Sequence, residues 1–133
     1  MSNDKTNSND QCPRDDRAQK FDLRERLLKF SKRILEIVNL LPRTPENDII
    51  RRQLTAAGTS VGANYEEADG AITKRDFIHK MAIARKEAKE TRYWLTVISD
   101  SVLPADEISK DLKEAGELVS ILSSIINKTR KGN

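Results

Sequence analysis

From Phe77 onward, apolar positions recur in alternating steps of four and three: Met81, Ala84, Ala88, Thr91, Leu95, Ile98 and Val102. A 3.5-residue repeat kept over more than three heptads holds one face of a helix against a partner helix. Thr73 stands at the N-cap, with Asp76 three residues on as an acidic variant of the capping box, and the helix is expected over 74–103. Upstream, Leu27, Phe30, Ile34, Ile37 or Val38, and Leu41 form one stripe, predicting a helix over 22–41 capped by Asp22 and ended by Pro42. Thr44 then caps a helix over 45–69, with Pro45 in the first turn, where a missing N–H costs nothing. Ile50, Leu54, Ala57, Val61, Asn64 and Ala68 carry its inward face, and Gly70 reads as its stop. Pro104 opens a last helix over 105–129, with Ile108, Leu112, Ala115, Val119, Leu122 and Ile126 at heptad spacing. Short connections favour antiparallel neighbours. The expected fold is all-α, an up-down-up-down antiparallel four-helix bundle over residues 21–130.

Residues 1–20 carry almost no apolar side chains and cannot offset the entropy of ordering, so a disordered polar leader is expected there. At 133 residues the chain makes one domain at most. Its apolar residues are mainly Leu, Ile, Val and Ala, as in helical bundles. The net charge of +3 is mildly basic, well short of a polycationic tail. Cys12, the single cysteine, lies in the leader and can close no internal disulfide; it reads as an incidental thiol, compatible with a reducing compartment. No apolar run approaches the roughly 18 residues of a membrane span, and no hydrophobic signal core opens the chain. A cytoplasmic protein with no membrane partner is the expectation.

The apolar positions exceed one stripe per helix. Leu118, Ile121 and Ile125 flank the heptad face of the last helix, and Ile78, Tyr93, Trp94 and Val97 widen the third. Such width means a broad core or, since a small bundle seldom exposes so much apolar surface, a subunit interface. Gly58 and Gly62 form a G-x-x-x-G pair. Each costs a helix about 1 kcal/mol relative to Ala, so close approach of another helix, within the bundle or across an interface, is the simplest compensation. Ser60, Asn64 and Glu67 make a polar row at i, i+4, i+7. That row is either a solvated flank or a hydrogen-bonded layer that fixes helix register, with Glu67 needing a basic or hydroxyl partner.

Chemistry is sparse. A di-metal carboxylate bundle needs two Glu-x-x-His pairs, but His79 is the only histidine and Asp76 precedes it by three. His79 has no serine and carboxylate partner at recognisable spacing, and no Gly-rich phosphate loop is present. No catalytic residue, metal, cofactor or small-molecule substrate is therefore expected. The third helix does carry a basic edge, with Arg85, Lys89 and Arg92 at i, i+4, i+7 and Lys86 adjacent. Arg24, Arg26, Lys29, Lys32 and Arg33 add charge on the first helix, and Lys128, Arg130 and Lys131 at the C-terminus. This edge is either a solvated face laced with ion pairs to Glu87 and Glu90 or a phosphate-binding surface multiplied by assembly. No aromatic residues interleave the cations as single-strand stacking would require.

The segments QLTAAGTSVGANYEEA and KRDFIHKMAIARKEAKETRYWL resemble the bacterial four-helix-bundle proteins encoded in intervening sequences of 23S ribosomal RNA genes. The resemblance spans about residues 21–128 and is most recognisable at Gln53, Ser60, Val61, Asn64, Glu67, Phe77, Ala84, Glu87, Glu90 and the run Tyr93-Trp94-Leu95. Where many members carry a Glu-Gly pair after the asparagine, this chain has Glu67-Ala68, with its glycine at Gly70. The resemblance implies a non-enzymatic protein assembling as a homopentameric ring. It also implies kinship to the accessory variability protein of diversity-generating retroelements, which is basic and works with a reverse transcriptase and nucleic acid. The expected function is a self-associating scaffold binding RNA or other nucleic acid through its basic edges. The alternative is a protein-binding adaptor with no nucleic-acid contact.

Overall fold

The computed structural model describes residues 16–132. It consists of four helices: α1 (Asp16–Leu40), α2 (Pro45–Asp69), α3 (Lys74–Ile98) and α4 (Ala105–Lys131), with no named strand among the described residues. Both threonine caps form as expected: Thr44 Oγ1 accepts from the Asn47 amide at 3.1 Å, and Thr73 Oγ1 from the Asp76 amide at 3.0 Å. Gly70 ends α2 at φ −91°, a conformation open to any residue. Its glycine is therefore no left-handed cap.

Two boundaries differ from expectation by more than two residues. α1 begins at Asp16, so the last part of the supposed leader is helical, while residues 1–15, with Cys12, lie outside the described residues. α3 stops at Ile98, not at Leu103. The cause is Asp100, at φ +65°, in the left-handed region that Asp tolerates better than most residues. The amides of Val102 and Leu103 both turn back to the Ile98 carbonyl at 3.0 Å. The Asp100 carboxylate then accepts from the Ala105 amide at 3.0 Å, so one aspartate breaks α3 and caps the start of α4.

The core is a single cluster contributed by all four helices, with Leu27, Ile34, Ile37, Leu54, Val61, Met81, Leu95, Ile98, Ile108, Leu122 and Ile126 essentially sealed from solvent. α4 is rotated from the expected frame. Asp111 and Leu118 turn inward, whereas Leu112 and Val119 are only partly buried. A step of three from Ile108, rather than four, puts a carboxylate on the inner face, where Arg33 receives it at 3.1 Å.

Polar contacts link the ends of neighbouring helices. Arg24 early in α1 reaches Asp69 at the end of α2, and Arg51 early in α2 reaches the Leu41 carbonyl just past α1. Arg26 and Arg33 of α1 hold α4 through Glu114 and Asp111.

Candidate nucleic-acid interface

The cations divide into two populations. Arg24, Arg26 and Arg33 of α1 and Arg51 of α2 are tied into the fold. Arg24 pairs with Glu66 and Asp69, both at 2.9 Å. Arg26 forks onto both oxygens of Glu114 at 2.7 Å and also reaches Glu117 at 2.7 Å. Arg33 grips Asp111 and donates to the Glu107 carbonyl at 3.3 Å. Arg51 donates to the Val38 and Leu41 carbonyls at 3.3 and 2.7 Å, closing the C-terminal end of α1. Hydrogen bonding to Glu114 raises the Arg26 pKa against the opposing cost of burial, and hydrogen bonding to Asp111 does the same for Arg33. Three of the α1 cations that looked basic in sequence are thus neutralised by partners on α2 and α4.

Past Lys80, which pairs with Glu67, the situation on α3 is reversed. Among the described residues, Arg85, Lys86, Lys89 and Arg92 have no ion pair. Arg85 donates only to the Ser123 hydroxyl of α4, at 3.4 Å, and the Arg92 guanidinium lies over Gly116. The 100° step of a helix puts residues 85, 89 and 92 on the flank next to α4 and residues 87, 90 and 94 on the opposite one. Glu87 and Glu90 consequently do not lace Arg85, Lys89 and Arg92, and only Lys86 turns toward them. Burial pushes the Glu87 pKa up, Glu90 pushes it further, and Lys86 offsets part of this. Glu90 instead accepts from Trp94 Nε1 at 3.2 Å, and Trp94 packs edge-on against Tyr93 with ring centroids 5.1 Å apart.

The polar row of α2 is satisfied locally. The Ser60 hydroxyl donates to the Ala56 carbonyl at 2.6 Å, and Asn64 Nδ2 donates to the Ser60 carbonyl at 2.9 Å. Only Glu67 reaches across, pairing with Lys80 of α3 at 2.7 Å in an exposed bridge. The row is a solvent-side flank with one inter-helix contact, not a buried layer.

The expected subunit-interface set separates as well. Leu118 is fully buried inside the chain, and Gly58 lies hard against Ile34 of α1, so neither is available to a second subunit. Gly62 stays accessible in an open groove between α1 and α2 lined by Leu28, Ser31, Thr59 and Ala63. Ile121 and Ile125 are partly buried. Leu28 and Leu35, 47% and 43% exposed, lie one heptad apart on the outer side of α1, off the inner stripe that the apolar spacing marks. No cluster able to hold a metal ion occurs among the described residues, and no described helix is long and apolar enough to cross a membrane.

The family model of the 23S rRNA-intervening sequence protein matches residues 19–125. The chain belongs to that family. A solved structure supports the fold: a protein of unknown function from the S23 ribosomal protein family of Bacteroides thetaiotaomicron is 33% identical, with a TM-score of 0.72. The match covers 77% of this chain and 96% of that one. No curated protein matches. Membership in the 23S rRNA-intervening sequence family accounts for the four-helix architecture, and neither comparison names an activity.

Proposed function

We propose that this chain is a non-enzymatic cytoplasmic scaffold, an up-down-up-down antiparallel bundle that self-associates as a homopentameric ring. In this reading it binds nucleic acid through phosphate contacts from Arg85, Lys86, Lys89 and Arg92. The observation that carries the proposal is the contrast between Arg24, Arg26 and Arg33, spent on Glu and Asp across helices, and this α3 set, which like Lys29 and Lys32 has no ion pair among the described residues but lines one continuous flank. Unpaired guanidinium and ammonium groups release condensed counterions when they meet a phosphate backbone, a gain that does not depend on sequence. Assembly multiplies that gain by presenting the edge several times. Self-association is supported by the exposed Leu28 and Leu35 and by the accessible groove at Gly62.

The test is fluorescence-anisotropy titration with structured RNA, single-stranded RNA and duplex DNA at several salt concentrations. Affinity should fall log-linearly with salt. Arg85→Glu with Lys89→Glu should weaken binding to all sequences about equally and reduce the salt slope by about two. Absence of binding at low salt would discard phosphate recognition and favour a protein-binding adaptor.

A further inference from the structure

The α3 edge does not end at the helix. Between Leu118 and the C-terminus the chain contains no acidic residue, and the α4-facing flank of α3, through Ile78, Ala82, Arg85, Lys89 and Arg92, contains none either. All five α4 carboxylates, Asp106, Glu107, Asp111, Glu114 and Glu117, lie in its first half, three of them engaged by Arg26 and Arg33. What remains is a continuous acid-free strip. It starts at Arg92 over Gly116, passes Lys89 and Arg85, and joins α4 through the Arg85–Ser123 hydrogen bond. From there Ser120, Ser124 and Asn127 line an open groove that leads to Lys128 and Lys131. Gly116 to Lys131 at 1.5 Å per residue makes the strip about 22 Å long.

We propose that this strip is a binding surface for double-stranded RNA, with the cations on phosphates and the Ser120, Ser124 and Asn127 groups on ribose 2′-hydroxyls. The assignment rests on the phosphate-binding reading of α3 and adds the substrate class. Hydroxyl and amide side chains both donate and accept, as the 2′-hydroxyl does, and that group distinguishes RNA from DNA at a given site. Ser120, Ser124 and Asn127 are exposed and make no hydrogen bond within the described chain, so these capacities are unspent. A single strand is disfavoured because it needs a row of aromatic platforms for successive bases: Trp94 is bound to Glu90 on the far flank, which leaves Tyr93, one turn from Lys89, as a lone exposed ring beside the strip.

The experiment compares full-length protein with the triple variant Ser120→Ala, Ser124→Ala, Asn127→Ala, titrated with an RNA duplex, the DNA duplex of the same sequence, and single-stranded RNA. All three positions are exposed on a helix, so circular dichroism should show the variant folded. The parent should prefer the RNA duplex over both competitors by roughly tenfold, the weight of one or two net hydrogen bonds. The variant should lose most of that preference and keep its salt slope. A preference that survives the triple substitution, or a parent that binds both duplexes equally, overturns the proposal while leaving phosphate binding by Arg85 and Lys89 intact. Failure of the parent to bind any of the three ligands overturns both.

Discussion

Gly58 and Gly62 share one motif, yet the structure predicts opposite signs for the same substitution. A methyl added at Gly58 would lie 2.6 Å from Cγ2, 2.8 Å from Cγ1 and 3.0 Å from Cβ of Ile34. Those atoms form the branch point of a fully buried side chain, not a flexible tip, so α1 and α2 must part to admit the methyl. Overpacking of this kind costs about 1–3 kcal/mol, while replacing a helical glycine by alanine returns about 1 kcal/mol. With three contacts at or under 3.0 Å the cost belongs at the upper end, and Gly58→Ala should destabilise by about 1–2 kcal/mol. At Gly62 the nearest atoms are 3.6–3.7 Å away, ordinary contact, so Gly62→Ala should be neutral or stabilise by up to about 1 kcal/mol. Urea midpoints at fixed protein concentration, with unchanged m-values, read both effects. Ile34→Ala removes the two γ-carbons, so Gly58→Ala introduced into that background should no longer destabilise. If Gly58→Ala is as stable as the parent, or Ile34→Ala leaves its cost untouched, the helix–helix contact is not what selects glycine there.

Asp111→Ala should cost about 1–2 kcal/mol by chemical denaturation, not the 3–5 of a fully buried pair, because the Arg33 side chain stays 36% exposed and can rehydrate. Glu87 has a folded-state pKa above its unfolded value, so the native chain binds the extra proton and stability falls as pH rises through the window above about 4.3. Glu87→Gln should therefore be the more stable chain at pH 7, with the difference vanishing below the ordinary glutamate range; a gain that persists at pH 3 would contradict this. Leu28→Asp and Ile121→Asp should each reduce the assembly mass measured by light scattering while leaving helicity unchanged, and an unchanged mass for both would remove these faces from any subunit contact.

The inner faces of α1 and α3 and both threonine caps could be read from the sequence because each is a local pattern: apolar spacing, or a hydroxyl three residues before an amide. The end of α3 could not. Periodicity runs on through Val102, which does pack on the core, but it does so from a turn created by the backbone conformation of Asp100. The α4 frame is hidden from the sequence for a related reason. Hydropathy marks Asp111 as a surface residue, and only the approach of Arg33 from α1 makes its inward position affordable. The candidate site shows the same division. The spacing of Arg85, Lys89 and Arg92 is visible in the chain, but the neutralisation of Arg24, Arg26 and Arg33 depends on partners more than 40 residues distant.

The macrodipole offers a competing explanation for the charge segregation along α4, since it favours acids at the N-terminus and bases at the C-terminus by about 0.3–1 kcal/mol each. That effect decays within a turn. Asp106 and Glu107 in the first turn, and Lys128, Arg130 and Lys131 in the last, fall within its reach and have a structural reason to be where they are. Asp111, Glu114 and Glu117 lie beyond it and owe their placement to the arginines they bind. Arg85, Lys89 and Arg92 sit in the middle and second half of α3, outside its last turn, where no basic residue occurs. Neither the dipole nor an ion pair accounts for them, so they carry more of the argument for an external anion than the basic C-terminus of α4. Reversing Arg85 and Lys89 should accordingly weaken nucleic-acid binding more than reversing Lys128 and Lys131.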